Sequence, residues 1–323
     1  MSKRGSTVAV WAALAGNLAV AAAKFVAAAL TLSAAMLSEA VHSLVDTINE
    51  LMLLYGISRS TRPADDSHPL GYAREVYFWS FVVSLSIFTL GAGVSGYEGV
   101  HRLLNPGPID HPLAVFVVLT LSLIFESGSW LIGIRAFRAG NHNLDLWQAF
   151  RRSKDPPAFI VVFEDSAAIL GLFAAAAGTA ATLLTGDSRY DGIASLVIAL
   201  ILAGVGALIA QESKALLIGE RADPKLAQAI IELAAAMPGV CKANSIVTVQ
   251  LAPENIVATL SLDFFDYMRA PDIEQSVSEM EAKIRSRFPE VSALFVKPQS
   301  VAAAERQREN LAILTPDDVF GAG

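Results

Sequence analysis

Three side chains spaced one helical turn apart, His42, Asp46 and Glu50, are the first sign of chemistry in this sequence. They lie in S-E-A-V-H-S-L-V-D-T-I-N-E at successive i, i+4 steps, which stacks them on one helical face. A neutral imidazole nitrogen and a carboxylate oxygen one turn apart can grip the same divalent ion, with zinc the usual choice for such mixed ligands. The same His–Asp pair could instead pin one buried helix to another. An apolar setting with more carboxylates nearby favours the metal-binding reading. Those carboxylates are Glu164 and Asp165 in V-V-F-E-D-S-A-A and Glu126 in F-E-S-G-S-W. Neighbours on a helix point about 100° apart, so Glu164 and Asp165 cannot both face one ion from a regular helix without adjustment. Asp165 is the expected ligand; Glu164 completes the sphere, accepts a proton or pairs with a neighbouring helix. Asn17 and Lys24 add polar groups to the first apolar stretch. Lys24 either snorkels to one surface or neutralises a carboxylate such as Glu126.

The elements that must hold these groups are long and apolar. The chain of 323 residues is 54% hydrophobic and 17% charged, with a mean hydropathy of +0.49. An average soluble domain carries about 25% charge, so a soluble enzyme of ordinary make-up is excluded. Six stretches suit a bilayer core about 30 Å thick: Thr7–Leu30, Met36–Ile57, Tyr77–Val100, Leu113–Ile134, Ala158–Leu184 and Gly192–Ala210. Only Thr31, Leu32 and Ser33 separate the first two, which implies a tight helical hairpin. Lys3, Arg4, Arg59, Arg62, Arg74, Arg135, Arg138, Arg151, Arg152 and Lys154 gather on one side of these spans, against Arg102 and Arg189 on the other. That asymmetry predicts both termini in the cytosol. The short basic start leads directly into the first span without an evident cleavage site, so that helix is expected to be retained.

After Glu220 the charge density rises and the pattern becomes helix, strand, strand, helix, strand. Pro224–Ala236 is an amphipathic helix with Asp223 as N-cap. Ser245–Leu251 and Ile256–Phe264 alternate as strands, Asp272–Phe288 has helical apolar spacing, and Val291–Val296 supplies a third strand. The expected fold class is therefore an all-α membrane domain of six transmembrane helices (residues 1–220) followed by a small C-terminal α+β, ferredoxin-like cytosolic domain (221–299). Residues 300–323 read as a weakly ordered tail. A net charge of −7 argues against a nucleic-acid partner. The single cysteine, Cys241, excludes an internal disulfide and a cysteine zinc cluster. No H-E-x-x-H helix or G-x-x-x-x-G-K-[ST] loop suggests metallohydrolase or nucleotide-driven chemistry.

The motifs together resemble the cation diffusion facilitator family from about Thr7 to Gln299. The likeness rests on Asn17 and Lys24, on S-x-A-x-H-S-x-x-D from Ser38 to Asp46, and on the loop R-P-A-D-D-S-H-P-L-G-Y-A-R-E from Arg62 to Glu75. The H-P-x-G-Y-x-R-E-x-Y-F-W wording, Glu126 and the Glu164–Asp165 pair are most similar to the branch of zinc transporter nine. The resemblance implies a homodimeric secondary transporter in the lipid bilayer, not an enzyme. It would export zinc, or Fe2+, Mn2+, Co2+ or Cd2+, from the cytosol in exchange for protons. It carries the transport ligands onto His42, Asp46 and Asp165, while the family's remaining ligand position falls on Val161, which cannot bind metal. Glu164, Asn49 or a water would fill that gap. It also implies a loop metal site at Asp65 and His68, with Tyr72 in place of a better ligand, or a purely loop-shaping role for His68. A charge pair between Arg74 and Glu220 would lock the dimer. The soluble domain has no histidine, so any metal sensing there would rest on Asp263 and Asp266; His101, His111 and His142 read as solvated. A non-transporting scaffold or metal-responsive regulator with the same fold is the alternative. The expected location is a bacterial inner membrane.

Overall fold

The computed structural model describes residues 3–31, 34–106, 112–139 and 145–313. It divides into two compact units, Met1–Ile218 and Gly219–Gly323.

The first unit is an all-α membrane region. It contains α1 (Lys3–Thr31), α2 (Ala34–Ser60), α3 (Glu75–Ser86), α4 (Gly93–Leu104), α5 (Pro112–Ala139), α6 (Leu146–Arg152), α7 (Pro156–Thr185) and α8 (Arg189–Ile218). A π-helical segment, Ile87–Ala92, joins α3 to α4, so Glu75–Leu104 runs as one long helical body. Among the described residues, four bodies are long and apolar enough to cross a membrane: Glu75–Leu104, α5, α7 and α8. The sequence suggested six. Among the described residues α1 yields only a shorter apolar stretch, Leu14–Val26, and the described part of α2 is interrupted by Asp46, Glu50 and Arg59. The Leu32–Ser33 link between α1 and α2 lies outside the described residues.

Close packing explains how these helices hold polar groups in register. α1 packs against α2 and α5, α7 against α5 and α8, and α8 against the α3–α4 body. At Gly206 of α8, an added Cβ would stand 2.9 Å from the Phe88 backbone nitrogen. The glycine therefore lets α8 touch the π-helical turn directly, the small-residue contact that drives helix association without a hydrophobic gradient. α7 begins at Pro156 and Pro157, whose missing N–H groups cost nothing in a first turn, and ends at Gly186 with φ +74°. The short α6 is held from inside by Phe150, packed on Phe159 and Phe163 at ring distances of 5.0 and 4.6 Å. From outside it is held by the Arg151–Glu212 ion pair at 2.7 Å.

The second unit contains α9 (Pro224–Ala235), β1 (Val240–Ala252), β2 (Asn255–Phe264), α10 (Ala270–Arg287), β3 (Val291–Pro298) and α11 (Val301–Ile313). The sheet order is β1–β2–β3, with β1 antiparallel and β3 parallel to β2. Asp223 caps α9 by accepting the Lys225 N–H at 2.7 Å. Ile230 and Ala234 of α9 and Met280 and Ile284 of α10 bury against Ala258, Leu260 and Leu262 of β2. On strands the side chains alternate, and Val247, Thr259 and Phe295, aligned by strand register, are exposed. Two features differ from expectation. β1 begins earlier than its alternating core, because bulges between Val240 and Ser245 let it continue pairing. The stretch Val301–Ile313, read from sequence as part of a weakly ordered tail, is helical, with Ala304 buried and the Val301 N–H donating to Asp263 Oδ2 at 3.1 Å. Residues 314–323 lie outside the described set.

Candidate metal centre

α2 carries the interior polar stripe. Ser43, Thr47, Asn49 and Glu50 are buried, as is Leu53, while Asp46 is half-buried. His42 is placed on the same helix by its backbone, and its side chain lies outside the described residues. Facing α2 are Asn17 and Lys24 of α1, both buried. Asn17 Nδ2 donates to Glu50 Oε1, and Lys24 Nζ donates to Ser43 Oγ at 2.9 Å. Lys24 is 5% exposed, so it does not snorkel; its ammonium is tied to α2 one residue beyond His42.

On α7, Glu164 and Asp165 are both buried, and the structure resolves the divergence that adjacent helix positions impose. Glu164 reaches α2, where Oε1 accepts from Asn49 Nδ2 at 3.2 Å. Asp165 instead lies near Ser129 and Glu126 of α5. Asp46 is the common neighbour, close enough to feel the charges of Glu50, Glu164 and Asp165. Five carboxylates thus surround one region of an apolar unit. Asn49 Oδ1, Glu50 Oε2, Glu164 Oε2 and Asp165 Oδ2 are buried and accept no hydrogen bond. Buried charges without compensation are strongly unfavourable, so oxygens left open in this way suit a cation or protons. Among the described residues no three His, Cys, Asp or Glu side chains converge on a single ion position. The carboxylates are neighbours without being a closed cage.

Val161 fits the apolar core. It is 1% exposed, and a Cβ at Gly133 of α5 would stand 3.3 Å from its Cγ1. One turn beyond, Trp130 Nε1 donates to Ser166 Oγ at 2.8 Å, which cross-links α5 and α7 behind Asp165. Glu50 is the residue that sequence reasoning saw but gave no role. The signal was its i, i+4 spacing from Asp46, and its burial and contact with Asn17 became visible only once α1 and α7 were packed around it.

The loop after α2 gathers Asp65, His68 and Tyr72 in another way. Asp65 Oδ1 accepts from the Ser67 hydroxyl at 2.7 Å, the Ser67 N–H at 3.0 Å and the His68 N–H at 2.8 Å. Oδ2 accepts from the Tyr72 hydroxyl at 2.6 Å. The Tyr72 bond first, then the Ser67 hydroxyl and the His68 backbone, hold the Asp65 carboxyl well below the usual carboxylate range. The Tyr72 phenol is pushed up, chiefly because its proton is held on Asp65. The His68 ring lies on Tyr72 at 4.2 Å, and the Arg59 guanidinium sits 5.4 Å from the other ring's centre. Every oxygen of Asp65 is occupied, so the cluster acts as a loop clasp.

Arg74 precedes α3 and Glu220 belongs to the other unit, where its carbonyl accepts the Gln250 N–H at 2.8 Å. Asp263 is used in holding α11, and Asp266 is exposed. His101 stacks on Tyr97 at 6.1 Å, while His111 and His142 lie outside the described residues.

Comparison with known proteins agrees with this architecture. Residues 10–218 match the cation efflux transmembrane domain. The chain is 34% identical over 265 residues to the mitochondrial proton-coupled zinc antiporter SLC30A9 of Xenopus laevis, covering 80% of this chain and 47% of that protein. The human antiporter of the same name is 32% identical over 266 residues, with the same coverage. Metal tolerance protein C4 of Arabidopsis thaliana is 34% identical over 224 residues, 69% of this chain and 48% of the plant protein. The chain spans about half the length of these curated relatives. It belongs to the cation diffusion facilitator family, in the branch similar to zinc transporter nine.

Proposed function

From that family membership, we propose that the chain is a proton-coupled antiporter that exports a divalent cation, zinc first, from the cytosol by alternating access. The observation that carries the reading is the set of buried, hydrogen-bond-free oxygens on Asn49, Glu50, Glu164 and Asp165 around Asp46. His42 and Asp46 from α2 and Asp165 from α7 are the principal ligands. Glu164 takes the place that Val161 leaves empty, with Glu50 and Asn49 in reach of the same region. Metal binding needs His42 neutral and the carboxylates ionised, so loading releases protons. When the helices rock and expose the site to the far side, protons from that side compete for the same oxygens and reset it. Relatives that carry the name of proton-coupled zinc antiporter support the counter-ion.

In this reading α1 and α2 also cross the bilayer, giving six spans with both termini cytosolic, in a bacterial inner membrane. The cytosolic unit pairs two copies into a homodimer through the exposed Val247–Thr259–Phe295 row. Asp65 and His68 shape the loop instead of storing metal. The reading is tested by counterflow of radioactive zinc in proteoliposomes holding the full chain, with a pH dye reporting protons. Zinc exchange coupled to opposing proton movement is expected. Zinc binding without exchange would instead make the protein a scaffold or regulator, the role that Val161 in place of a ligand would permit.

A further inference from the structure

Toward its C-terminal end, α5 borders a recess of about 390 Å³ lined by Trp130, Ile134, Arg135, Arg138, Ala139 and Leu146. Its volume falls in the range of small-molecule sites, roughly 300–1,000 Å³. Five of the lining residues, Trp130, Ile134, Arg135, Arg138 and Ala139, follow one another along α5 at steps that keep them on neighbouring faces. Leu146, the first residue of α6, closes the opposite wall.

Two guanidiniums line this recess. Three other arginines of the membrane unit are engaged: Arg59 pairs with Glu75, Arg102 with Glu98 and Asp191, and Arg151 with Glu212. Arg135 and Arg138 are exposed and meet no carboxylate among the described residues. An arginine that served only to anchor a helix end would need no cavity. Here two planar forks, the groups best matched to phosphate oxygens, stand over an apolar wall. That wall sits where the apolar body of α5 gives way to its charged end, the level at which tryptophan prefers to lie in a bilayer.

We propose that this recess binds an anionic phospholipid of the surrounding membrane. The headgroup phosphate lies between Arg135 and Arg138, and the start of an acyl chain runs along Trp130, Ile134 and Leu146. Basic pockets at a membrane surface collect such lipids for this reason. A soluble phosphate would satisfy the guanidiniums and leave the apolar wall bare, so the lipid uses the whole recess.

Quenching of Trp130 by lipids brominated on the acyl chain tests the site directly. The full chain is reconstituted in vesicles of phosphatidylcholine containing a small fraction of brominated phosphatidylglycerol or brominated phosphatidylcholine. The Trp130 signal is taken as the difference between the parent chain and Trp130→Phe. Phosphatidylglycerol should quench that signal at least three-fold more than phosphatidylcholine at equal mole fraction. The joint variant Arg135→Gln with Arg138→Gln should erase the preference, the corresponding Arg→Lys pair should keep part of it, and millimolar inorganic phosphate should leave it intact. Equal quenching by both lipids in the parent chain overturns the proposal before any variant is made. Survival of the preference without the arginines, or its loss to inorganic phosphate, overturns it too. The measurement needs no transport, so an inactive transporter would not obscure the result.

Discussion

Two groups of acidic side chains in this molecule, separated by less than twenty residues of sequence at their nearest, have opposite circumstances. Asp65 lies in water and is fully bonded, with four donors on its two oxygens. Glu50, Glu164 and Asp165 lie in an apolar interior, and each has one oxygen that accepts nothing. Solvation alone would predict the reverse, since an exposed carboxylate tolerates missing partners far better than a buried one. The contrast separates structure from function. A carboxylate whose bonds are all spent holds a loop, and one kept open at a cost is, in the proposed function, held for a cation or a proton.

The largest effect should come from removing an open oxygen at the centre. Asp165→Ala or Asp46→Ala is expected to reduce zinc flux in proteoliposomes by at least about 100-fold, equivalent to about 2.7 kcal/mol. Asp165→Asn should do nearly the same to flux while leaving the metal-free protein as stable as the parent or more so. Replacing a buried, crowded charge by a neutral group relieves an unfavourable term, and thermal unfolding would register it. A fall of several degrees in Tm would mean that Asp165 is a structural partner. Next in size, Glu164→Gln should lower flux by roughly ten-fold, the upper end of what loss of an auxiliary group around a metal costs being about 100-fold. If Glu164→Gln transports normally, the gap at Val161 is filled by another atom, and Glu50→Gln becomes the decisive variant.

Much of this arrangement was legible from spacing. The stripe His42–Asp46–Glu50 follows from helical periodicity, and the order of helices and strands after Pro224 follows from patterning and the Asp223 cap. What spacing could not show was which way adjacent residues would divide. That Glu164 reaches Asn49 of α2 while Asp165 lies by Ser129 and Glu126 of α5 depends on how α7 is packed, a tertiary fact. Lys24 was equally beyond reach, since a long cation near the middle of a helix can extend to a surface or turn inward; its burial and its bond to Ser43 show that it turns inward. The helix at Val301–Ile313 was missed because its own sequence has little apolar patterning; it is held largely by polar bonds to Asp263, Lys297 and Gln299.

Smaller effects belong to the loop. Asp65→Asn should leave zinc flux within about two-fold, because an exposed substitution away from the site rarely changes more, and should loosen the Arg62–Glu75 segment, seen as faster amide exchange. The sign with pH is fixed by the depressed Asp65 value. Its ordering contribution is fully present above about pH 4, the ordinary aspartate value, and is lost as pH falls through the lower folded value. Amide protection of Ser67 and His68 should therefore drop only in strong acid, and a drop near neutrality would contradict the clasp. The smallest change expected in the membrane unit is from Phe295→Asp in the cytosolic unit, which should shift the mass of the detergent-solubilised protein toward the monomer while single-copy zinc binding persists.

The most direct test is a structure of the zinc-soaked protein with anomalous scattering recorded at the zinc edge. The account predicts a single strong peak inside the membrane unit, within bonding distance of Asp46 and Asp165 and touching a third oxygen from Glu164 or Glu50. A peak at Asp65 and His68 with the interior carboxylates unoccupied, or Asp46 and Asp165 too far apart to share any ion, would contradict it.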